Sequence, residues 1–469
     1  MSTTKTRFCP SPTGLMHLGN LRTALLNFLL GTQSKGSFIL RIEDTDRERS
    51  KSKYAESICD DLNWMGLVWK EGPRIGGPQE PYFQSMRQDI YESFYKELLK
   101  ADLIYPCFAS EEELKIIRKN QLAAGHPPRY PGIWSRASKE DIQEQLDKGY
   151  KPVYRFRIPE NKTINFVDLI KGEQIFNTTD LDDFIVRKED GSPTFMYANA
   201  IDDALMGVDV VMRGDDHLSN TPRQIALLES LKLDIPQFIH IALFIGDDGA
   251  PLSKRNGSLS VQEIKEKGYF PLAVANYLAR VGHTIEDNKV RSLSELATAF
   301  NINKISTSPS RFDVNQLNFW QKKVIDTLPY NSLDKWLNPF LEGLLPEDIN
   351  RELFMKTALD NITFPYEAVE LAKNVFSDPF NLNEEAILKV KSIGNDFFKL
   401  ARQSFENCWP NWQECVKDLS DNSGKKGKEL FQPLRISLTG QQSGPELDQL
   451  SILLGKKRVL ERLDKASEV

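Results

Sequence analysis

Pro10-Ser11-Pro12-Thr13-Gly14-Leu15-Met16-His17-Leu18-Gly19-Asn20 is the stretch on which the reading of this chain turns. Residues 6–9, before it, have the character of a short strand that stops at the prolines. Leu21, Ala24, Leu25, Phe28 and Leu29, after it, recur at the spacing of one helix face, with Gly31 as a stop. Residues 38–42 then form a second strand, closed by Asp44-Thr45-Asp46. Strand, loop, helix and strand make a βαβ unit, the seed of a parallel sheet. His17 and Gly19 fall where the helix begins, so free backbone N–H groups and the helix dipole favour a phosphate there. His17 offers a donor, and Gly19 permits close approach of a ligand to the backbone. The loop lacks the G-x-G-x-x-G fingerprint, which argues against a dinucleotide.

A second unit lies downstream. Residues 208–212 read as a strand, and Thr221-Pro222-Arg223-Gln224 opens a helix with Thr221 as N-cap. Residues 238–245 read as one further strand, and Asp247-Asp248-Gly249 turns the chain before Leu252-Ser253-Lys254-Arg255-Asn256-Gly257. A hydroxyl beside two cations on a glycine-bounded loop suits a triphosphate that loses pyrophosphate. Between the two units, residues 101–190 have a different texture: a polar helix from Glu111, then Gly125-His126-Pro127-Pro128, then short strand-like runs. We read them as an insertion that splits the sheet. Beyond about residue 320, strand signals fade and helical ones dominate.

The whole-chain numbers fit this plan. At 469 residues the chain has room for two to four domains. Its net charge of −6 does not announce nucleic acid, although a local basic face is all that phosphate contacts need. Five scattered cysteines give no disulfide framework or zinc spacing. There is no apolar leader at the N-terminus and no stretch that could span a membrane. A soluble, cytoplasmic protein is expected.

The two loops together resemble the paired signatures of class I aminoacyl-tRNA synthetases. The resemblance narrows to the bacterial glutamyl-tRNA synthetases through PSPTGLMHLGNLRTALLN, FILRIEDTDRER, EGP…GGP, DDALMGVDVVMRGDDHLSNTPRQ and LSKRNG. The similarity runs in order from residue 5 to 282 and reappears at Pro433–Gly440 and Leu453–Leu463. It implies an α/β fold: a Rossmann-like parallel-sheet catalytic domain with an α+β insertion, followed by an all-α anticodon-binding region. The expected domains are 1–100 with 191–250 (catalytic), 101–190 (acceptor-binding insertion), 251–319 (signature loop and stem contact) and 320–469 (anticodon-binding).

The implied reaction is ATP-dependent activation of L-glutamate to glutamyl-adenylate, then transfer to the terminal ribose of tRNA-Glu, with tRNA-Gln as a further acceptor in some relatives. Family members typically activate glutamate only with tRNA bound. The resemblance assigns Arg7 and Arg213 to the glutamate side chain, Glu43 to its ammonium, and Asn199 and Ser11 to further substrate contacts. Bidentate arginine is the natural reader of a carboxylate, and an ammonium requires an anion. His17 and Lys254 are the expected catalytic residues. Ser11, Gly19, Asn20, Ser253 and Arg255 join them on ATP, with Mg²⁺ held mostly by phosphates and water. The family is usually monomeric.

Four departures from the family pattern stand out. Pro251 follows Ala250 where the second signature begins with lysine, and Phe195 replaces a tyrosine that is common in the family. Of a Cys-x-Cys…Cys-x-His zinc site only Cys107 survives, so no zinc is expected. The stretch near Asn361 lacks the arginine by which the family discriminates the third anticodon base, which tilts the reading toward relaxed tRNA choice. Among the competitors, glutaminyl-tRNA synthetase has a β-barrel anticodon region rather than helices. A shortened relative that glutamylates a modified tRNA base ends near the catalytic domain. A silent tRNA-binding paralogue should have lost several of Arg7, His17, Gly19, Glu43, Arg213 and Lys254.

Overall fold

The strand β1 (Lys5–Phe8) buries Thr6, Arg7 and Phe8 in succession, as a parallel strand covered on both faces must. The computed structural model describes residues 3–46, 48–246, 248–250, 252, 259–346, 349–377 and 380–469. From β1 the chain passes through helix α1 (Leu18–Gln33) to β2 (Ser37–Leu40), which lies parallel to β1 with Thr6 opposite Phe38. α1 runs past Gly31, which does not end it. A Cβ at Gly31 would stand 3.0 Å from the Ser37 carbonyl oxygen and from Thr6 Oγ1, so the glycine lets helix and sheet approach.

The remaining strands are β3 (Ile104–Cys107), β4 (Val153–Phe156), β5 (Thr163–Asp168), β6 (Gly172–Asn177), β7 (Phe184–Arg187), β8 (Val210–Gly214), β9 (Gln237–Ile241), β10 (Phe244–Ile245) and β11 (Ser310–Arg311). Helix α2 (Phe195–Leu205) precedes β8, and α3 (Thr221–Leu231) connects β8 to β9. The main sheet has the order β2-β1-β8-β9-β5-β6. It is parallel from β2 to β5, and only the β5–β6 hairpin is antiparallel. The chain leaves β1 toward one edge and β8 toward the other. The crevice at the carboxyl ends of β1 and β8 is therefore a topological switch point, where open α/β sheets bind ligands.

Two sequence expectations change here. Residues 101–190 do not all leave the main sheet: β3, β4 and β7 form a separate antiparallel sheet, whereas β5 and β6 extend the main one. The single strand expected over 238–245 is two. The Arg22 guanidinium takes the Ala242 carbonyl at 2.9 Å, and β10 turns away to pair with β11.

The chain divides into two compact units, Met1–Ile264 with Pro271–Leu317, and Lys265–Phe270 with Asn318–Val469. The second is helical. Its core gathers Phe354, Phe398, Phe405, Leu434 and Leu463 from four of its helices. The buried Arg462 donates to the carbonyls of Asn374, Val375 and Leu438, at the ends of helices Pro365–Phe376 and Lys428–Thr439. A cation is well placed against such carbonyl ends. Among the described residues no helix is long and apolar enough to cross a membrane.

Candidate active site

A cavity of about 630 Å³ opens at the switch point. Arg7, Ser11, His17, Gly19, Asn20, Glu43, Asn199 and Arg213 all line it, drawn from β1, the loop after it, α1, the segment after β2, α2 and β8. Ser253, Lys254 and Arg255, and Pro251 before them, lie outside the described residues. Their neighbours on either side are placed. Leu252 lines the cavity and donates its N–H to Phe244. Ser260 bridges His17, and Val261 N–H bonds the Met16 carbonyl.

The start of α1 is where the sequence places a phosphate. His17 is the N-cap in extended conformation and its side chain caps nothing. Its Nδ1 is buried and has no hydrogen-bond partner among the described residues. Burial holds its pKa below the usual imidazole value, so the ring is neutral at pH 7. A Cβ at Gly19 would sit 3.1 Å from that ring. The glycine therefore makes room for His17 itself at the helix start.

The two arginines differ. Arg7 gives Nε and Nη2 to the carboxylate of Asp203 on α2, each at 3.2 Å, and Nη2 lies 3.5 Å from Asn199 Oδ1. Asp203 also accepts from Arg41 Nη1 at 2.8 Å. Burial would raise the Asp203 carboxyl, but Arg7 and Arg41 hold it below the usual range. Arg213 has no ion pair among the described residues. Its Nε bonds His240 Nε2 at 3.2 Å, its Nη2 bonds Thr221 Oγ1 at 2.8 Å, and its buried Nη1 is unpartnered. Burial, with the like charge of Arg7, pulls Arg213 down to about 10. A buried cation without an anion is a site waiting for one.

Glu43 supplies the opposite charge. It is buried, its backbone N–H bonds the Pro10 carbonyl, and its carboxylate accepts from Asn199 Nδ2. Arg41 Nη2 stands 3.5 Å away. Burial raises the carboxyl to about 7 even though Arg41 and Arg7 pull it down.

Sequence reasoning missed the supporting residues. The sequence reading gave no role to Asp203 or Arg41. Thr221 was expected to cap α3; Asn220 holds that position instead, and the Thr221 hydroxyl is spent on Arg213 and His240. Phe195 lines the cavity with its ring 5.4 Å from that of His217. In the insertion, the Cys107 thiol lies 3.3 Å from the Tyr130 hydroxyl and takes Arg155 Nε–H at 3.4 Å. The Arg155 guanidinium covers the Tyr130 ring at 3.8 Å. A phenol and a cation thus surround the lone thiol, and this donor set does not fit zinc.

Comparison with known proteins shows the family. The family model for class I tRNA synthetases (E and Q), catalytic domain, matches residues 3–319, and that for an anticodon binding domain matches residues 329–467. A glutamate–tRNA ligase 1 from Coxiella burnetii is 45% identical, over 99% of this chain and all of its own. A glutamate–tRNA ligase 2 from Nitrosococcus oceani is 46% identical, over 98% of this chain and 97% of its own. A crystal structure of a glutamate tRNA ligase from Elizabethkingia meningosepticum, in complex with its amino acid, superposes with a TM-score of 0.87 at 30% identity, covering both chains fully.

Proposed function

This chain belongs to the class I tRNA synthetases of the E and Q group, and on that premise we propose that it is a glutamate–tRNA ligase whose cavity at the β1/β8 crevice activates L-glutamate with ATP. The observation that carries this reading is a charge pattern: a buried arginine without an ion pair among the described residues and a buried carboxylate, with Arg41 3.5 Å behind it, share one cavity. An α-amino acid with a second carboxylate complements both.

Arg213 takes the side-chain carboxylate. Arg7, largely committed to Asp203, shapes and charges the wall behind it. Glu43 holds the ammonium, and Asn199 and Ser11 complete the cradle. The α-carboxylate oxygen of glutamate attacks the α-phosphorus of ATP. A bond forms between them, the bond to the bridging oxygen breaks, and pyrophosphate leaves. The terminal ribose hydroxyl of tRNA then attacks the adenylate's carbonyl carbon, and AMP departs. Positioning and charge stabilisation supply most of the acceleration. His17, Gly19 and Asn20 face the phosphates at the start of α1. Ser253, Lys254 and Arg255 join them from the second signature, with Lys254 and His17 stabilising charge on the transferring phosphate. Mg²⁺ accompanies the ATP phosphates, and zinc has no part.

Residues 1–100 with 191–250 serve catalysis, 101–190 the acceptor end, 251–319 the stem, and 320–469 the anticodon. The protein works as a cytoplasmic monomer. The absence of arginine near Asn361 favours a second acceptor, tRNA-Gln, beside tRNA-Glu. Charging purified tRNA-Glu and tRNA-Gln with glutamate or glutamine, with ATP and Mg²⁺, tests the reading. Glutamylation of tRNA-Glu is expected. Glutamine transfer would make the chain a glutaminyl enzyme, and tRNA binding without charging would make it a silent paralogue. Glutamylation confined to tRNA-Glu would remove the relaxed acceptor choice.

A further inference from the structure

Arg213 is held from behind by three residues that touch neither the crevice nor each other in sequence. Asp168, at the end of β5, is fixed by four donors. Its Oδ2 accepts from the His240 backbone N–H (3.0 Å) and from ring Nδ1 (2.7 Å), and its Oδ1 accepts from the backbone N–H groups of Ile170 (2.9 Å) and Lys171 (2.8 Å). The side chains of Asp168 and His240 are fully buried. With the ring proton pinned on Nδ1, Nε2 is left as an acceptor. Two donors converge on it: Arg213 Nε–H at 3.2 Å and the Thr221 hydroxyl at 3.0 Å. The Thr221 oxygen accepts in turn from Arg213 Nη2 at 2.8 Å. A closed triangle results, and it occupies the Nε/Nη2 edge of the guanidinium.

We propose that Asp168, His240 and Thr221 form a positioning relay that keeps the outer Nη1/Nη2 edge of Arg213 free and aimed at the substrate's side-chain carboxylate. The proposal deepens the glutamate reading and rests on it. Its logic is electrostatic. A carboxylate set directly on Arg213 would neutralise it and compete with substrate, as Asp203 does at Arg7. Setting the counter-charge one neutral imidazole away supports the cation and leaves its reading edge open. Burial would raise Asp168, but the bonds from His240, Lys171 and Ile170 hold it ionised. Burial keeps His240 neutral against the pull of Asp168, with Arg213 adding to the effect.

The test is steady-state glutamylation of tRNA, with glutamate and ATP varied separately. Asp168→Asn lets the ring present N–H to Arg213. Thr221→Val removes the hydroxyl at nearly constant volume. Each should raise the glutamate KM on the order of tenfold, the scale of one misaligned charged hydrogen bond, while kcat and the ATP KM stay near wild type. Thr221→Ser, which keeps the hydroxyl, should recover most of the loss. Because Thr221→Val conserves shape, it serves even if Asp168→Asn fails to fold. An unchanged glutamate KM in folded Thr221→Val, or glutamate and ATP KM rising together, would overturn the relay. In either case wild type still charges with glutamate, so the functional reading stands. A wild-type protein that does not charge at all removes that reading and the relay with it.

Discussion

Replacing Arg213 with methionine should separate use from stability. Arg213 is 5% exposed and has no ion pair among the described residues. Its pKa, lowered to about 10 by burial and by Arg7, means that keeping it charged in place costs about 3 kcal/mol. That cost is present at every pH below about 10, so it operates throughout the physiological range. Methionine removes it and fills similar space. The partners left behind, Thr221 Oγ1 and His240 Nε2, are 3.0 Å apart and still bond each other, so neither is orphaned. The loss of two hydrogen bonds from a charged donor, about 3–6 kcal/mol in all, offsets the gain. The first thermal transition should therefore fall by no more than a few degrees. Glutamate use should fall much further. Losing a charged hydrogen bond to substrate costs about 1.5–3 kcal/mol, roughly 10- to 150-fold in KM. Differential scanning calorimetry and glutamate-dependent aminoacylation measure the two effects. A melting temperature lower by ten degrees with an unchanged glutamate KM would show that Arg213 serves the fold and not the substrate.

Three further outcomes are expected. Because burial raises the free Glu43 carboxyl to about 7 and an ammonium favours its ionised form, the glutamate KM should rise as pH falls below about 7 and level off above it; Glu43→Gln should raise KM and flatten this profile. His17→Ala and Lys254→Ala should slow adenylate formation in single-turnover assays while tRNA affinity by filter binding stays nearly intact, and equal loss of tRNA binding would contradict their assignment. Phe195→Tyr restores a hydroxyl at the cavity wall beside His217 and should lower the glutamate KM severalfold, consistent with about 1 kcal/mol for a buried hydrogen bond.

Sequence order revealed what depends on local pattern. The βαβ seed, the helix start at His17 and the strand-end positions of Arg7 and Arg213 follow from periodicity and turn chemistry, and the structure brings all of them to one crevice. What escaped depends on partners distant in the chain. Asp203 pairs with a residue 196 positions away. Asp168 reaches His240 across 72. The split of residues 238–245 into two strands arises from a carbonyl claimed by Arg22, 220 positions earlier. Thr221 misled for the opposite reason. Its local capping signature is real chemistry, but the same hydroxyl had a better use in the tertiary fold.

The chain's path through residues 101–190 bears on how such proteins can be recombined. It visits the small sheet at β3 and β4, returns to the main sheet at β5 and β6, and goes out again at β7. A region laced in this way has no pair of cut points that lifts it out whole. Exchanging it between relatives as a single block would carry away an edge hairpin of the main sheet, and Asp168 with it. Successful chimaeras should need four junctions, leaving Thr163–Asn177 with its original host.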